Sequence, residues 1–240
     1  MKRIKNDHFQ FKQFSVSHRR SSMKVGTDGV LLGAWVDVSD VDNVLDVGTG
    51  SGVIALMIAQ RTLATRVDAV EINQEAVQDA RENFEQAPWT RRLNLYHTPI
   101  QLYLTECKYD LIISNPPFFI NSYKPVDEPR STARHTESLS FQNLLKAADQ
   151  LLNPHGRLAV ILPPAEGLHF KTLAQAAGMT CIRHWTFRTR RNKPVERLLL
   201  EFSKIHKLPD QGEVLLYEYD SGEVWTKEYT ALTREFYLKA

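Results

Sequence analysis

Five short apolar runs recur along the chain: VLDVG (44–48), VDAVEI (67–72), LNLYH (93–97), YDLIISN (109–115) and RLAVILP (157–163). Rich in Val, Ile and Leu, they read as strands. The segments between them, 51–61, 74–86, 140–152 and 166–177, with a short one near 99–104, read as helices. Strands that alternate with helices are joined by crossovers, so the spacing predicts an α/β fold with a doubly wound, mostly parallel sheet. After Gly178 the rhythm changes. TCIRHWTF (180–187) and VERLLLEF (195–202) are joined by RTRRNKP with no helix between them. They form a hairpin at the end of a sheet of seven strands, so one of them runs antiparallel. The stretch VLLYEYDSGEVWTKEY reads as a further hairpin turning at DSG, followed by a short helix. Near the start, FQFKQFSV (9–16) reads as an edge strand and DGVLLGAWV as a short helix capped by Asp28. Gly156 and Gly178 are expected to end helices in left-handed turns.

A chain of 240 residues accommodates one large domain. We expect a single domain over 1–240, with an N-terminal strand and helix extension (1–36), a core (37–204) and a C-terminal hairpin and helix (205–240). Hydrophobic content of 42% and charged content of 24% are ordinary for a globular protein. No apolar run approaches the roughly 18–20 residues needed to span a bilayer, and the basic opening MKRIKNDHFQ has no apolar segment after it to make a secretory signal. Cys107 and Cys181 lie far apart and form no CxxC, and the histidines show no ligand spacing. The expectation is a cytoplasmic monomer with no membrane contact and no metal.

The net charge of +2 conceals a division. Residues 1–24 carry +6 and residues 183–197 carry +5, leaving −9 for the remainder. Two such segments on one face would suit a polyanion, whereas on separate faces they would be solvated surface. Arg19, Arg20 and Lys24 in the first, and Arg188, Arg190, Arg191 and Lys193 in the second, are the candidate contacts to RNA phosphates.

VLDVGTGSGVIAL (44–56) is a strand, a glycine-rich turn and a helix. Gly48, Gly50 and Gly52, with Thr49 between the first two, permit positive φ or close approach of a ligand. Glu71 ends the next strand, 25 residues after Asp46, where a carboxylate can take both hydroxyls of a ribose. A pyrophosphate site usually reads GxGxxG. Here the glycines run GxGxG, and Asp46 precedes the first by two residues. Its negative charge would repel a pyrophosphate but suits the ammonium and sulfonium of S-adenosylmethionine. The pattern resembles the first motif of Rossmann-like methyltransferases. Thr27 and Asp28, near the start of a helix, are further candidates for the same pocket.

The fourth strand runs into Asn115–Pro116–Pro117–Phe118. In an open α/β sheet, ligands sit at the carboxyl ends of strands, which puts this tetrapeptide beside the glycine turn. The lone pair of an adenine N6 amine is delocalised into the ring, so the amine is a poor nucleophile. Two acceptors on its hydrogens, the side-chain oxygen of Asn115 and the carbonyl of Pro116, favour a pyramidal nitrogen with its lone pair free. The prolines carry no N–H and stiffen the turn. Phe118 offers a face for stacking the base. Taken alone, the tetrapeptide could also be a strand end stopped by two prolines over a packed aromatic ring.

Taken together, MKVGTDGVLLGAW, VLDVGTGSG, VEIN, SNPPFF and RHTESLSFQNLL resemble the bacterial tRNA adenine N6-methyltransferases that modify adenine 37 in a valine tRNA. The resemblance covers almost the whole chain. It implies a Rossmann-like class I methyltransferase fold, with S-adenosylmethionine as methyl donor, S-adenosylhomocysteine as product and tRNA as partner. The catalytic turn would be Asn115, Pro116, Pro117 and Phe118. The cofactor site would be Thr27, Asp28, Asp46, Gly48, Thr49, Gly50, Gly52, Glu71, Ile72 and Asn115. The turn Thr98–Pro99–Ile100 is where such enzymes contact the adenine of the cofactor; the usual acid is absent, leaving Ile100, backbone groups or Gln101. ARHTESLSF (133–141) would wall the target base, with His135 either touching substrate or preceding a helix structurally. Two other reactions share the catalytic turn or a close variant of it, methylation of guanine N2 in ribosomal RNA and of glutamine in a protein. The second class usually carries an N-terminal helical domain. A non-catalytic nucleotide-binding module would leave Asn-Pro-Pro-Phe unexplained.

Overall fold

The computed structural model describes residues 7–21, 23–117 and 139–238. Phe118 and His135 lie outside the described residues. The first five strands of the main sheet are β3 (Asn43–Val47), β4 (Arg66–Glu71), β5 (Leu93–His97), β6 (Tyr109–Ser114) and β7 (Leu152–Leu162), all parallel. They are followed by β8 (Thr180–Arg188), β9 (Arg197–Ser203) and β10 (Asp210–Leu215). The spatial order is β10-β8-β9-β7-β6-β3-β4-β5. Among the described residues the sheet therefore holds eight strands, not the seven expected. The extra strand comes from 205–240, where a hairpin was expected, and it pairs in parallel with β8, Gly212 opposite Trp185. Of the hairpin, only the antiparallel bridge Tyr217↔Trp225 forms.

The chain leaves β3, builds β4 and β5 on one side, then returns to lay β6 on the other. That reversal opens a crevice at the carboxyl ends of β3 and β6. Beyond β7, strand β9 is inserted antiparallel between β7 and β8. Its partner β8 thereby runs parallel to the rest, and the 189–196 loop emerges at the same carboxyl edge as the crevice.

Both faces of the sheet are covered, so apolar residues continue through each strand and alternate between two cores. Val44, Val67, Leu111 and Ala159 face α1 (Thr27–Trp35) and α2 (Val53–Arg61). Leu45, Val70, Ile112 and Leu158 face α4 (Phe141–Leu151) and α5 (Pro164–Ala176). Local chemistry sets the helix ends. The side chain of Asn73 accepts the Ala76 N–H ahead of α3 (Gln74–Gln86), and Ser140 does the same for Asn143 ahead of α4. Gly178, at φ 76, lets the chain turn out of α5. A last helix, α6 (Lys227–Thr233), is capped by Thr226. No helix among the described residues is long and apolar enough to cross a membrane.

Three local expectations are corrected. FQFKQFSV is no edge strand of the main sheet: β1 (His8–Gln10) and β2 (Ser15–Ser17) pair only with each other. Their aromatic side chains hold them to the protein instead, Phe14 meeting Trp89, and Phe9 and Phe11 meeting Tyr237. Asp28 does not cap α1. The N-cap is Gly26, and the Asp28 carboxylate, one position inside the helix, pairs with Arg197. Gly156 ends no helix but lies within β7, where a Cβ would come within 2.8 Å of the Tyr109 carbonyl oxygen.

One buried ion cluster crosses the inserted strand. Glu201 of β9 is fully buried and accepts from Arg157 of β7 at 2.9 Å and Arg183 of β8 at 3.1 Å. Burial pushes its pKa up, and the two guanidiniums work against that. Removing one partner of a buried ion pair typically destabilises by about 3–5 kcal/mol, because the other charge is stranded. Here Asp37 and Asp210 also touch the arginines, so we expect Glu201→Ala to fall near the lower end, about 3 kcal/mol, in urea unfolding.

Candidate active site

The turn after β3 is built on glycines at φ 72, 56 and 87 for Gly48, Gly50 and Gly52. A Cβ on Gly52 would also stand 2.5 Å from the Phe84 ring, so α3 packs directly beneath the turn. Backbone bonds from Gly48 and Thr49 to the Val70 carbonyl tie the turn to β4. Below it lies Asp46, with no exposed surface. Its Oδ2 accepts from the Thr49 hydroxyl at 2.5 Å and the Ala55 N–H at 3.2 Å, while Oδ1 has no hydrogen-bond partner among the described residues. Burial raises its pKa to about 7 against the two hydrogen bonds, and the nearby Glu71 charge adds to the rise.

Glu71 ends β4 and reaches back over the turn. One oxygen accepts the Gly50 N–H at 2.9 Å, and the other accepts those of Ile72 and Asn73 at 2.8 and 2.9 Å. A carboxylate held by three N–H groups is fixed in direction. Beside β3, the Ser114 hydroxyl donates to the Val47 carbonyl at 2.7 Å and locks the two strand ends together. Asn115 follows at once. Its Oδ1 is buried and has no partner among the described residues.

A cleft of about 400 Å³ joins these parts. Of the residues expected from the sequence, Thr27, Asp28, Gly48, Thr49, Gly50, Asn115 and Lys24 line it. Asp46 and Gly52 lie under its floor, and Glu71 reaches it through Gly50. Ile72 is exposed next to Glu71, whereas Ile100 is packed into the core on the α4 face. Pro116 and Pro117 follow Asn115, the first buried and the second half-buried. The cleft also takes residues that were not expected in it: Met23, Phe187, Thr189, Glu196 and Arg197. Arg197 pairs with Asp28 at 2.8 Å. Its only sequence signal was membership of the basic 183–197 segment.

The two basic segments both reach this cleft, through Lys24 and through Thr189 and Arg197. Their charges are not equally available. Arg20 is held by Asp79 and Glu82, and Arg188 by Glu213. Arg19 meets His8, and Lys24 meets Asp7 and the His18 carbonyl. The Arg190 guanidinium packs over Tyr217 and against Gly222. Arg191 and Lys193 are exposed, with no ion pair among the described residues.

The chain belongs to the methyltransferase small domain family, whose model matches residues 21–180. Its fold is shared with a predicted O-methyltransferase from Agrobacterium tumefaciens, at TM-score 0.65 and 17% identity over 87% of this chain and 96% of that one. Within the family it is a member of the tRNA1(Val) (adenine(37)-N6)-methyltransferases. A relative of that name from Trichodesmium erythraeum is 46% identical over 97% of this chain and 98% of its own length. Another, from Photorhabdus laumondii, is 44% identical over 98% and 97%.

The raised pKa of Asp46 makes a pH prediction. An aspartate titrates near 3.9 when unfolded and near 7 here, so between those values the folded state binds the extra proton. Stability attributable to this group therefore falls as pH rises from about 4 to about 7 and is flat above, by at most about 1.4 kcal/mol per pH unit. Asp46→Asn lacks the titration. The urea midpoint of the wild type should decline relative to Asp46→Asn between pH 5 and pH 8, and parallel profiles would exclude it.

Proposed function

We propose that this protein transfers a methyl group from S-adenosylmethionine to the N6 amine of adenine 37 in tRNA1(Val). The observation that carries the reading is Asn115: a buried acceptor with no partner among the described residues, at the carboxyl end of β6 and in the same cleft as the glycine turn. An unsatisfied buried acceptor destabilises the free protein by about 1–3 kcal/mol, which an arriving N–H donor relieves. An adenine amine is such a donor.

The cleft residues fit the cofactor. Glu71, fixed by three N–H groups, would accept from the ribose hydroxyls, and the open backbone of Gly48–Gly50 admits close approach. Thr27 and Asp28 would meet the methionine end, with Asp46 beneath as the compensating negative charge. When bound, S-adenosylmethionine supplies a methyl group already activated on a sulfonium. What the protein must add is orientation and exclusion of water. Asn115 Oδ1 would accept one N6 hydrogen and the Pro116 carbonyl the other, turning the nitrogen lone pair toward the methyl group. Phe118 would stack on the base.

For the RNA, the reading has exposed Arg191 and Lys193 contact phosphates beside the cleft while the target adenine enters it unpaired or flipped. Arg20 and Arg188, neutralised internally, would contribute less. The basic segments meeting at one cleft and the names of the relatives support this.

Incubation of an unmodified tRNA1(Val) transcript with S-adenosylmethionine should yield N6-methyladenosine by nucleoside mass spectrometry, and replacing adenine 37 should abolish it. Methyl-guanine, or methylation of a protein glutamine alone, would overturn the assignment. Asn115→Ala should slow methyl transfer by roughly 2.7–4 kcal/mol of barrier, about 100- to 1000-fold, by analogy with losing one transition-state hydrogen bond. Cofactor affinity should move far less. The double variant Arg191→Ala/Lys193→Ala should weaken tRNA binding and flatten the plot of log affinity against log salt by roughly 1.5, since each phosphate contact contributes about 0.7–0.9. Superimposable salt titrations would leave that loop without an RNA role.

A further inference from the structure

Among the described residues, β9 is the one strand of the main sheet whose amino end lies at the carboxyl edge, because it runs antiparallel to both neighbours. Its first residue, Arg197, therefore emerges in the cleft. The base of the preceding loop is closed just before it. Glu196 Oε1 accepts both the N–H and the hydroxyl of Thr189, at 2.9 and 2.6 Å, and the Glu196 N–H donates to the Phe187 carbonyl. From this fixed base the Arg197 side chain donates to the Glu196 carbonyl at 2.7 Å and to Asp28 Oδ2 at 2.8 Å. Asp28 stands in the first turn of α1, a helix whose N-cap Gly26 provides no side-chain bond. Both partners are largely shielded, with 28% and 22% of their side chains exposed.

The electrostatics make this pair more than a surface contact. Asp28 and Glu196 both line the cleft, and Glu71 and Asp46 stand at the glycine turn. Asp28 therefore shares its cleft with a second carboxylate, Glu196, and among the described residues Arg197 is the cation in direct contact with it. With Nη1 anchored on the Glu196 carbonyl, the planar guanidinium presents Nε to Asp28 and so sets direction as well as charge.

We propose that Arg197 is a positioning residue for the cofactor: by gripping Asp28 it holds the 26–29 segment against the glycine turn, so that Asp28 faces the cationic methionine end. The inference rests on the reading of the cleft as an S-adenosylmethionine site. Arg197, which sequence charge alone assigns to a surface for RNA, is thereby assigned to the cofactor half of the reaction.

The test is calorimetric titration of S-adenosylhomocysteine into the wild type, Arg197→Met, Arg197→Lys, Asp28→Asn and the double variant Arg197→Met/Asp28→Asn. The worth of a charge-assisted bond sets the expectation that Arg197→Met raises Kd about tenfold or more. Asp28→Asn should do the same, and the double variant should be no weaker than either, because both act through one pair. Arg197→Lys, keeping the charge, should recover part of the loss. In steady state the KM for S-adenosylmethionine should rise while tRNA affinity without cofactor stays within about twofold of wild type. Thermal midpoints identify any variant that has merely lost its fold, and Arg197→Lys then decides. Unchanged S-adenosylhomocysteine affinity in folded Arg197→Met, or a selective loss of tRNA affinity, overturns the proposal and returns Arg197 to the RNA surface. Failure of the wild type to bind S-adenosylhomocysteine would instead strike at the reading of the cleft.

Discussion

The carboxylate of Asp46 connects the strand, the turn and the helix on which the cleft is built. It leaves β3 pointing away from water, binds Thr49 in the turn above and the Ala55 N–H in the first turn of α2, and has no surface of its own. With the negative charge enclosed and one oxygen without a partner among the described residues, the protonated form is favoured up to about neutral pH. A cation brought to the turn favours the ionised form. The same few ångströms of chain thus set both the shape of the cleft floor and the charge beneath it.

Everything around that floor is braced against it. The Asn83 amide donates to the carbonyls of Ser51 and Ser17, so α3 holds both the glycine turn and the N-terminal hairpin. Phe84 fills the space under Gly52, and Ser114 fastens β6 to β3. These contacts leave Asn115 on a rigid base, which is what orientation-driven catalysis would require of it under the proposed role. On the far side, the antiparallel insertion of β9 brings Arg197 and the basic loop to the cleft and buries Glu201 between two arginines. One topological choice serves both ends of the strand.

Much of this was legible beforehand, for identifiable reasons. α3 begins and ends where expected because Asn73 caps it and its apolar residues keep a helical period. The glycine turn was legible because positive φ restricts residue type, and Asn115–Pro116–Pro117 because proline excludes continued sheet pairing. The N-terminal run was misread, since alternating phenylalanines look the same whether they pair with the main sheet or only with each other. Asp28 was given a capping role on a local rule, while its partner lies 169 positions away.

Local chemistry written along the chain determined the parallel α/β architecture, the turn after β3, the acid at the end of β4 and the acceptor at the end of β6, because each depends on a residue and its near neighbours. Tertiary structure alone decided that β10 joins the sheet, that Ile100 turns into the core and that, among the described residues, Arg20 and Arg188 are neutralised while Arg191 and Lys193 are not. It also decided that the 189–196 loop opens on the cleft edge. Burial and ion pairing depend on which distant segments the fold brings within a few ångströms, and no periodicity or spacing along the chain carries that information.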